Sequence, residues 1–276
     1  QLHGKDLSFN NLLDLEAALQ LVREFQEPAV TFIKHNNPCG VALGRDVWEA
    51  FVKARETDPM SAFGGVMACN QELDGKTAQE LSSQFLEAIL APSFSLEALE
   101  ALHTKANLRL LVLPGWREEP LSSPHPLPIF DLRQISGGLL LQESDGLERE
   151  GEDTWQVVSR RSPTPEEKQA LNFAWKVVAH VRSNAVVFAS KDQTLGIGAG
   201  QMSRVDSVKL AVAKAGLPLK GSVLASDGFF PFPDGVEEAA RAGATAIIQP
   251  GGSIRDPQVI AAADGTDLAM VLTGRR

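Results

Sequence analysis

Along the chain, helical apolar spacing gives way again and again to short apolar runs of strand length. Residues 14–25 carry the i, i+3, i+4 spacing of an amphipathic helix, and residues 29–33 read as a buried strand. The alternation continues with a helix over 47–56, a strand over 65–68, helices before and after Ala91-Pro92, and a strand over 108–113. Such alternation predicts α/β layering.

Five prolines between Pro114 and Pro128 make that stretch an irregular surface connection rather than a core element. An apolar run over 138–141 precedes an acidic, polar stretch over 143–153. Beyond it, Thr164-Pro165-Glu166-Glu167 supplies the cap, the first-turn proline and the third-position glutamate of a helix start, and that helix runs toward His180. A hairpin-like pair over 185–189 and 195–197, a helix from Ser203, and strand–helix repeats complete the chain. These shifts place a lobe boundary near residue 150, and no repeat is visible at the level of residues.

With 276 residues, of which 43% are hydrophobic and 22% charged, the chain can bury one large core or two smaller ones. The net charge of −9 gives no electrostatic footprint for nucleic acid or an anionic membrane, so a phosphate ligand needs a locally basic pocket. Cys39 and Cys69 cannot build a disulfide framework, which suits a reducing compartment. No apolar run approaches the roughly 18 residues of a membrane span. These features lead to the expectation of a soluble, cytoplasmic protein with no nucleic-acid or membrane partner.

Lys34-His35-Asn36-Asn37-Pro38-Cys39-Gly40 follows the first buried strand directly, and open α/β sheets place ligands at strand ends. A lysine beside a histidine pairs a fixed cation with a base that titrates near neutrality, although the same residues also suit a solvated loop. The glycine-rich run Gly196 to Arg204 leads into a helix where backbone N–H groups can receive an anion, or it is simply a tight strand-to-helix connection. Ser226-Asp227-Gly228-Phe229-Phe230-Pro231-Phe232 sets three aromatic rings in a loop, as a stacking platform for a flat ligand or as a hydrophobic plug. Pro250 to Asp256 reads first as capping and turn chemistry, and Trp155 and Trp175 as packing residues. His3, His103, His125 and His180 are scattered singly, and no His-x-Glu accompanies a Pro-Cys-x-x-Cys, so a zinc deaminase site is not supported.

Seven segments in order resemble AICAR transformylase, the C-terminal part of a bifunctional purine-synthesis protein. They are Asn10 to Asp14, Lys34 to Gly40, Ser61 to Gly65, Arg182 to Ala185, Gly196 to Arg204, Ser226 to Phe232 and Gln249 to Asp256. The resemblance implies two cytidine-deaminase-like three-layer α/β/α lobes without the zinc site, residues 1–150 and 151–276, in a homodimer with shared active sites. It implies transfer of a formyl group from 10-formyltetrahydrofolate to the 5-amino group of AICAR, the aminoimidazole carboxamide ribonucleotide, giving formyl-AICAR and tetrahydrofolate. By the same matching, Lys34, His35 and Asn184 correspond to the catalytic residues. Asn11, Phe63, Gly64, Glu87, Arg204, Phe229 and Arg276 correspond to the AICAR site, and Met60, Val205, Pro231, Phe232 and Asp234 to the folate site. A potassium ion near Ser183 and Asp227 belongs to the same expectation.

The family's cyclohydrolase half is not matched, so ring closure is not expected of these residues. The family's Arg-Tyr-Gly-x-Asn-Pro-His-Gln segment would precede Leu2, and its His-Phe-Arg-His ending would lie just past Arg276. Two other classes stay open on the residues alone: a deaminase-like nucleotide hydrolase, which bound zinc would reveal, and a nucleotide-binding module without turnover.

Overall fold

The computed structural model describes residues 1–115, 130–143 and 155–275. In the first part, α1 (Phe9–Val22) leads into β1 (Ala29–Lys34), β2 (Asn37–Leu43), α2 (Val47–Thr57), α3 (Pro59–Ala62), β3 (Val66–Cys69), α4 (Gly75–Ser83), β4 (Ala88–Ala91), α5 (Leu96–His103) and β5 (Arg109–Val112). The strands form a sheet in the order β2-β1-β3-β4-β5, with β1 antiparallel to both neighbours and β3, β4 and β5 parallel.

Helix α1 starts earlier than its apolar spacing indicates, because Ser8 and Asn11 form a capping box upstream. Phe9, Leu12 and Leu13 lie on its exposed side and blur the period. The stretch after Lys34 is a strand from Asn37 onward, not a loop. Between α4 and α5 the apolar run Ala-Ile-Leu-Ala is β4, a short segment whose length periodicity cannot assign.

Strands β6 (Phe130–Ile135) and β7 (Gly138–Glu143) make an exposed hairpin, forming a two-stranded sheet of their own. Most of the proline-rich stretch (116–129), the acidic stretch from 144 and the expected boundary near 150 lie outside the described residues.

The last part holds β8 (Gln156–Val157), α6 (Pro165–Val178), β9 (Val186–Ala189), β10 (Thr194–Gly198), α7 (Arg204–Lys214), β11 (Val223–Ser226), α8 (Asp234–Ala242), β12 (Ala246–Gln249), α9 (Asp256–Gly265) and β13 (Ala269–Leu272). Thr164 and Glu167 form the expected capping box at the start of α6. The sheet order is β10-β9-β11-β12-β13-β8, so apart from β8 it repeats the order and strand senses of the first sheet. The repeat reaches single bonds. Ala29 N donates to Asn70 Oδ1 at 2.8 Å just past β3, and Ala185 N donates to Asp227 Oδ1 at 2.9 Å just past β11.

Helices α1 and α6 form a middle layer between the sheets. Leu15, Ala18 and Leu21 of α1, Leu171, Ala174 and Val177 of α6, and inward residues of both sheets share one buried cluster, where Phe25 meets Phe173 at 5.4 Å. Trp155 and Trp175 pack against it. The remaining helices cover the outer faces, with Phe51 of α2 and Val208 of α7 in separate clusters.

The sheet edges β2 and β10 meet through Leu43 N to Asp192 O at 2.8 Å. Buried Thr194 Oγ1 also accepts from Val41 N at 2.9 Å.

Candidate active site

Lys34 and Asn37 pair across a two-residue loop, and His35 and Asn36 both take positive φ, +53° and +58°. Two-residue hairpin loops of the primed type require this, and for a non-glycine residue it costs roughly 1–2 kcal/mol each. The surrounding bonds compensate. Asn36 N donates to Asp14 Oδ1 of α1 at 2.7 Å, and Arg182 N donates to Asn37 Oδ1 at 3.0 Å. Lys34 Nζ donates to Phe63 O at 2.7 Å. His35 is thereby held out to solvent beside an anchored ammonium.

The starts of β3 and β4 supply the neighbours of Lys34. Gly64 has φ +73°, and a Cβ there would stand 3.4 Å from the Phe85 ring and 4.0 Å from Lys34 Nζ. Phe63 is exposed and leans on Phe85 with ring centres 5.3 Å apart. Glu87 is ion-paired with buried Arg109 at 2.8 Å. Asn11 Oδ1 accepts from the Ser8 hydroxyl at 2.8 Å, so its carbonyl belongs to the α1 cap.

A second cluster surrounds the start of α7. Arg204 is buried and donates to Ala185 O at 3.2 Å, Ser226 Oγ at 2.8 Å, Asp227 Oδ1 at 2.5 Å and Asn184 Oδ1 at 2.8 Å. Asn184 donates in turn to Gln201 O at 2.9 Å, and the Ser183 hydroxyl donates to Asp227. Burial alone would raise the Asp227 pKa, but hydrogen bonds from Arg204, Ser183 and the Ala185 amide outweigh it and hold the carboxyl below its usual value.

The aromatic loop divides its roles. Phe230 is fully buried with its N–H on Gln249 Oε1 at 2.8 Å, whereas Phe229 and Phe232 are exposed and Arg255 stands 4.1 Å over the Phe232 ring. The 250–256 loop is turn chemistry as expected, with the Gly252 and Ser253 amides on Asp256 Oδ2 at 2.7 and 3.2 Å.

Lys34 and His35 open onto a cleft of about 310 Å³, lined also by Asp58, Ser61, Ile197 and Lys214. The Arg182–Asn37 bond brings the segment carrying Asn184 against the His35 loop within one chain. Met60 is exposed beside Ser61, Val205 is partly buried on α7, and Pro231, Phe232 and Asp234 lie at the start of α8, outside the cleft lining. Arg276 lies outside the described residues. Among the described residues, no group of three or more His, Cys, Asp or Glu side chains is placed to hold a metal ion. Sequence reading passed over Asp58 and Lys214, although Asp58-Pro59 is a helix-start signal.

Cys39 also lines the cleft, but its thiol is pushed up to about 12, first by burial and then by the Asp58 carboxylate. A thiol in that range is not a nucleophile near neutrality. Iodoacetamide at pH 7.5 is expected to leave Cys39 unmodified in the folded protein, as peptide mass spectrometry would record, and rapid modification would contradict this environment.

The AICARFT/IMPCHase bienzyme family matches residues 1–214. Over all 276 residues the chain is 55% identical to the bifunctional purine biosynthesis protein PurH of Myxococcus xanthus (strain DK1622), covering 53% of that protein. It is 54% identical to PurH of Bacillus thuringiensis (strain Al Hakam), covering 52%. The chain thus spans about half the length of the curated relatives it matches. A family match over most of the chain, together with identity above one half along its whole length, places it: the chain belongs to the AICARFT/IMPCHase bienzyme family.

Proposed function

We propose that this chain transfers the formyl group of 10-formyltetrahydrofolate to the 5-amino group of AICAR, giving formyl-AICAR and tetrahydrofolate in purine synthesis. The observation that carries the reading is the strained His35 loop, fixed beside the Phe63-anchored Lys34 ammonium at a cleft lined by residues of both parts of the chain. The AICAR amine is a weak nucleophile, since its lone pair is delocalised into the ring. As the amine nitrogen bonds to the formyl carbon and the carbon–N10 bond breaks, one proton leaves the amine and one joins N10. His35 is the group to take the first, and Lys34 to stabilise the negative charge developing on the formyl oxygen. A positioned base and a preorganised cation are each worth about 10²-fold or more.

In this reading Asn184 assists by hydrogen bonding. Asn11, Phe63, Gly64, Glu87, Arg204, Phe229 and Arg276 form the nucleotide site, and Met60, Val205, Pro231, Phe232 and Asp234 the folate site. Ser183 and Asp227 present oxygen donors of the kind a potassium ion takes. The two parts of the chain are cytidine-deaminase-like lobes dividing near residue 150, and the protein works in the cytoplasm as a homodimer. A formyl-transfer assay following tetrahydrofolate release tests the reaction, and AICAR binding without turnover would overturn it.

The exposed Phe229 ring gives a sharper check. If it stacks on the heterocycle, Phe229→Ala weakens AICAR binding by about 1–3 kcal/mol, the range of base-stacking contacts, with little change in melting temperature. Unchanged affinity beside a large fall in melting temperature would make the ring a packing residue.

A further inference from the structure

Asp58, Ser61 and Lys214 wall the cleft but have no part in the reaction written above. Asp58 caps α3 through Oδ1, which accepts from Ser61 N at 2.9 Å. Its Oδ2 receives Lys214 Nζ at 3.0 Å, and the same ammonium donates to Ser61 Oγ at 3.1 Å. Lys214 is the last residue of α7, so a cation from the second part of the chain closes on the first turn of α3 in the first part. The Asp58 side chain is only 15% exposed. Burial works against its charge, yet hydrogen bonds from Ser61 and Lys214 keep its pKa below the usual value.

What α3 holds gives the pair its meaning. A helix of four residues has too few internal bonds to hold itself and depends on its cap. It ends against Phe63, whose carbonyl receives Lys34 Nζ at 2.7 Å. The lysine stem has four rotatable bonds, so the place of its ammonium follows the place of that carbonyl. A continuous line therefore runs from Lys214 through Asp58 and Ser61 to α3, to Phe63 O and to Lys34 Nζ.

We propose that Asp58 and Lys214 are positioning residues, which fix the Lys34 ammonium at the cleft by clamping α3 from α7. The proposal rests on the reading of Lys34 as the cation of formyl transfer. A tie that only joined the two parts would alter stability with no special relation to Lys34.

The full chain carries the test. Lys214→Met is expected to lower kcat ~10-fold with KM within ~3-fold, since displacement by a fraction of an ångström already matters to an electrostatic contact. Lys214→Arg should restore most of it. In a Lys34→Met background, Lys214→Met should cause no further loss, because both remove the same contribution. A readout independent of turnover is competitive acetylation by acetic anhydride, with Lys34 measured against exposed Lys168 by mass spectrometry. Its relative rate should change at least ~2-fold in Lys214→Met.

Additive kcat losses, or an unchanged Lys34 labelling rate, would overturn the proposal. If the wild-type chain transfers no formyl group, the reaction assignment fails and labelling alone decides the positioning role. Ser61→Ala, which keeps the backbone cap, replaces Lys214→Met should that variant not fold.

Discussion

Replacing His35 by alanine is expected to lower kcat by at least ~100-fold while the melting temperature changes little. The imidazole is exposed, so no core contact is lost with the ring, and alanine meets the same backbone cost at the positive φ. The backbone of the loop is fixed by its neighbours, through Asn36 N on Asp14 and Asn37 Oδ1 on Arg182 N, and these bonds survive the substitution. Loss of turnover without loss of fold therefore separates chemistry from architecture here. Steady-state formyl-transfer kinetics beside a thermal melt make the measurement, and near-normal turnover would remove His35 from the reaction.

Arg204→Ala should act through stability as much as through binding. The guanidinium makes four hydrogen bonds in a buried setting, and its removal leaves the Asp227 carboxylate without its cation. Breaking a buried pair from one side costs roughly 3–5 kcal/mol. Because Asp227 is held below its usual value, the stabilisation is complete above the unfolded carboxylate pKa of about 3.9 and is lost as pH falls through the lower folded value. Urea denaturation should show the full gap between wild type and variant at pH 7, narrowing only in strong acid. A gap below about 1 kcal/mol at pH 7 would mean that the pair is compensated elsewhere.

What could be read beforehand followed the reach of each signal along the chain. The start of α6 was legible because its cap, proline and glutamate lie within four residues. Lys34-His35 was legible as a pair, being adjacent after an apolar run. Strand β4 was not, since four apolar residues satisfy either period, and neither was β2, whose Asn-Pro opening resembles a loop. The choice between platform and plug for the phenylalanine loop had no answer in sequence because adjacent rings took opposite roles, Phe229 outside and Phe230 inside. Arg204 was visible as a basic residue after a glycine-rich turn, but its four partners come from distant segments. The doubled topology left no trace in residue identities, because strand order depends on apolar pattern, and Asn70 and Asp227 share a position while differing in charge.

The middle helical layer bears on how the chain folds. Neither sheet closes its inner face alone: Ile33 and Leu90 from one and Val187 and Ile248 from the other meet the same packed interior as α1 and α6. Unfolding one half would expose apolar surface that the other half now covers, which couples the two. Denaturation reported from either half should trace one midpoint, as a single cooperative unit does. The architecture that looks doubled in its strand order is therefore expected to unfold as one body.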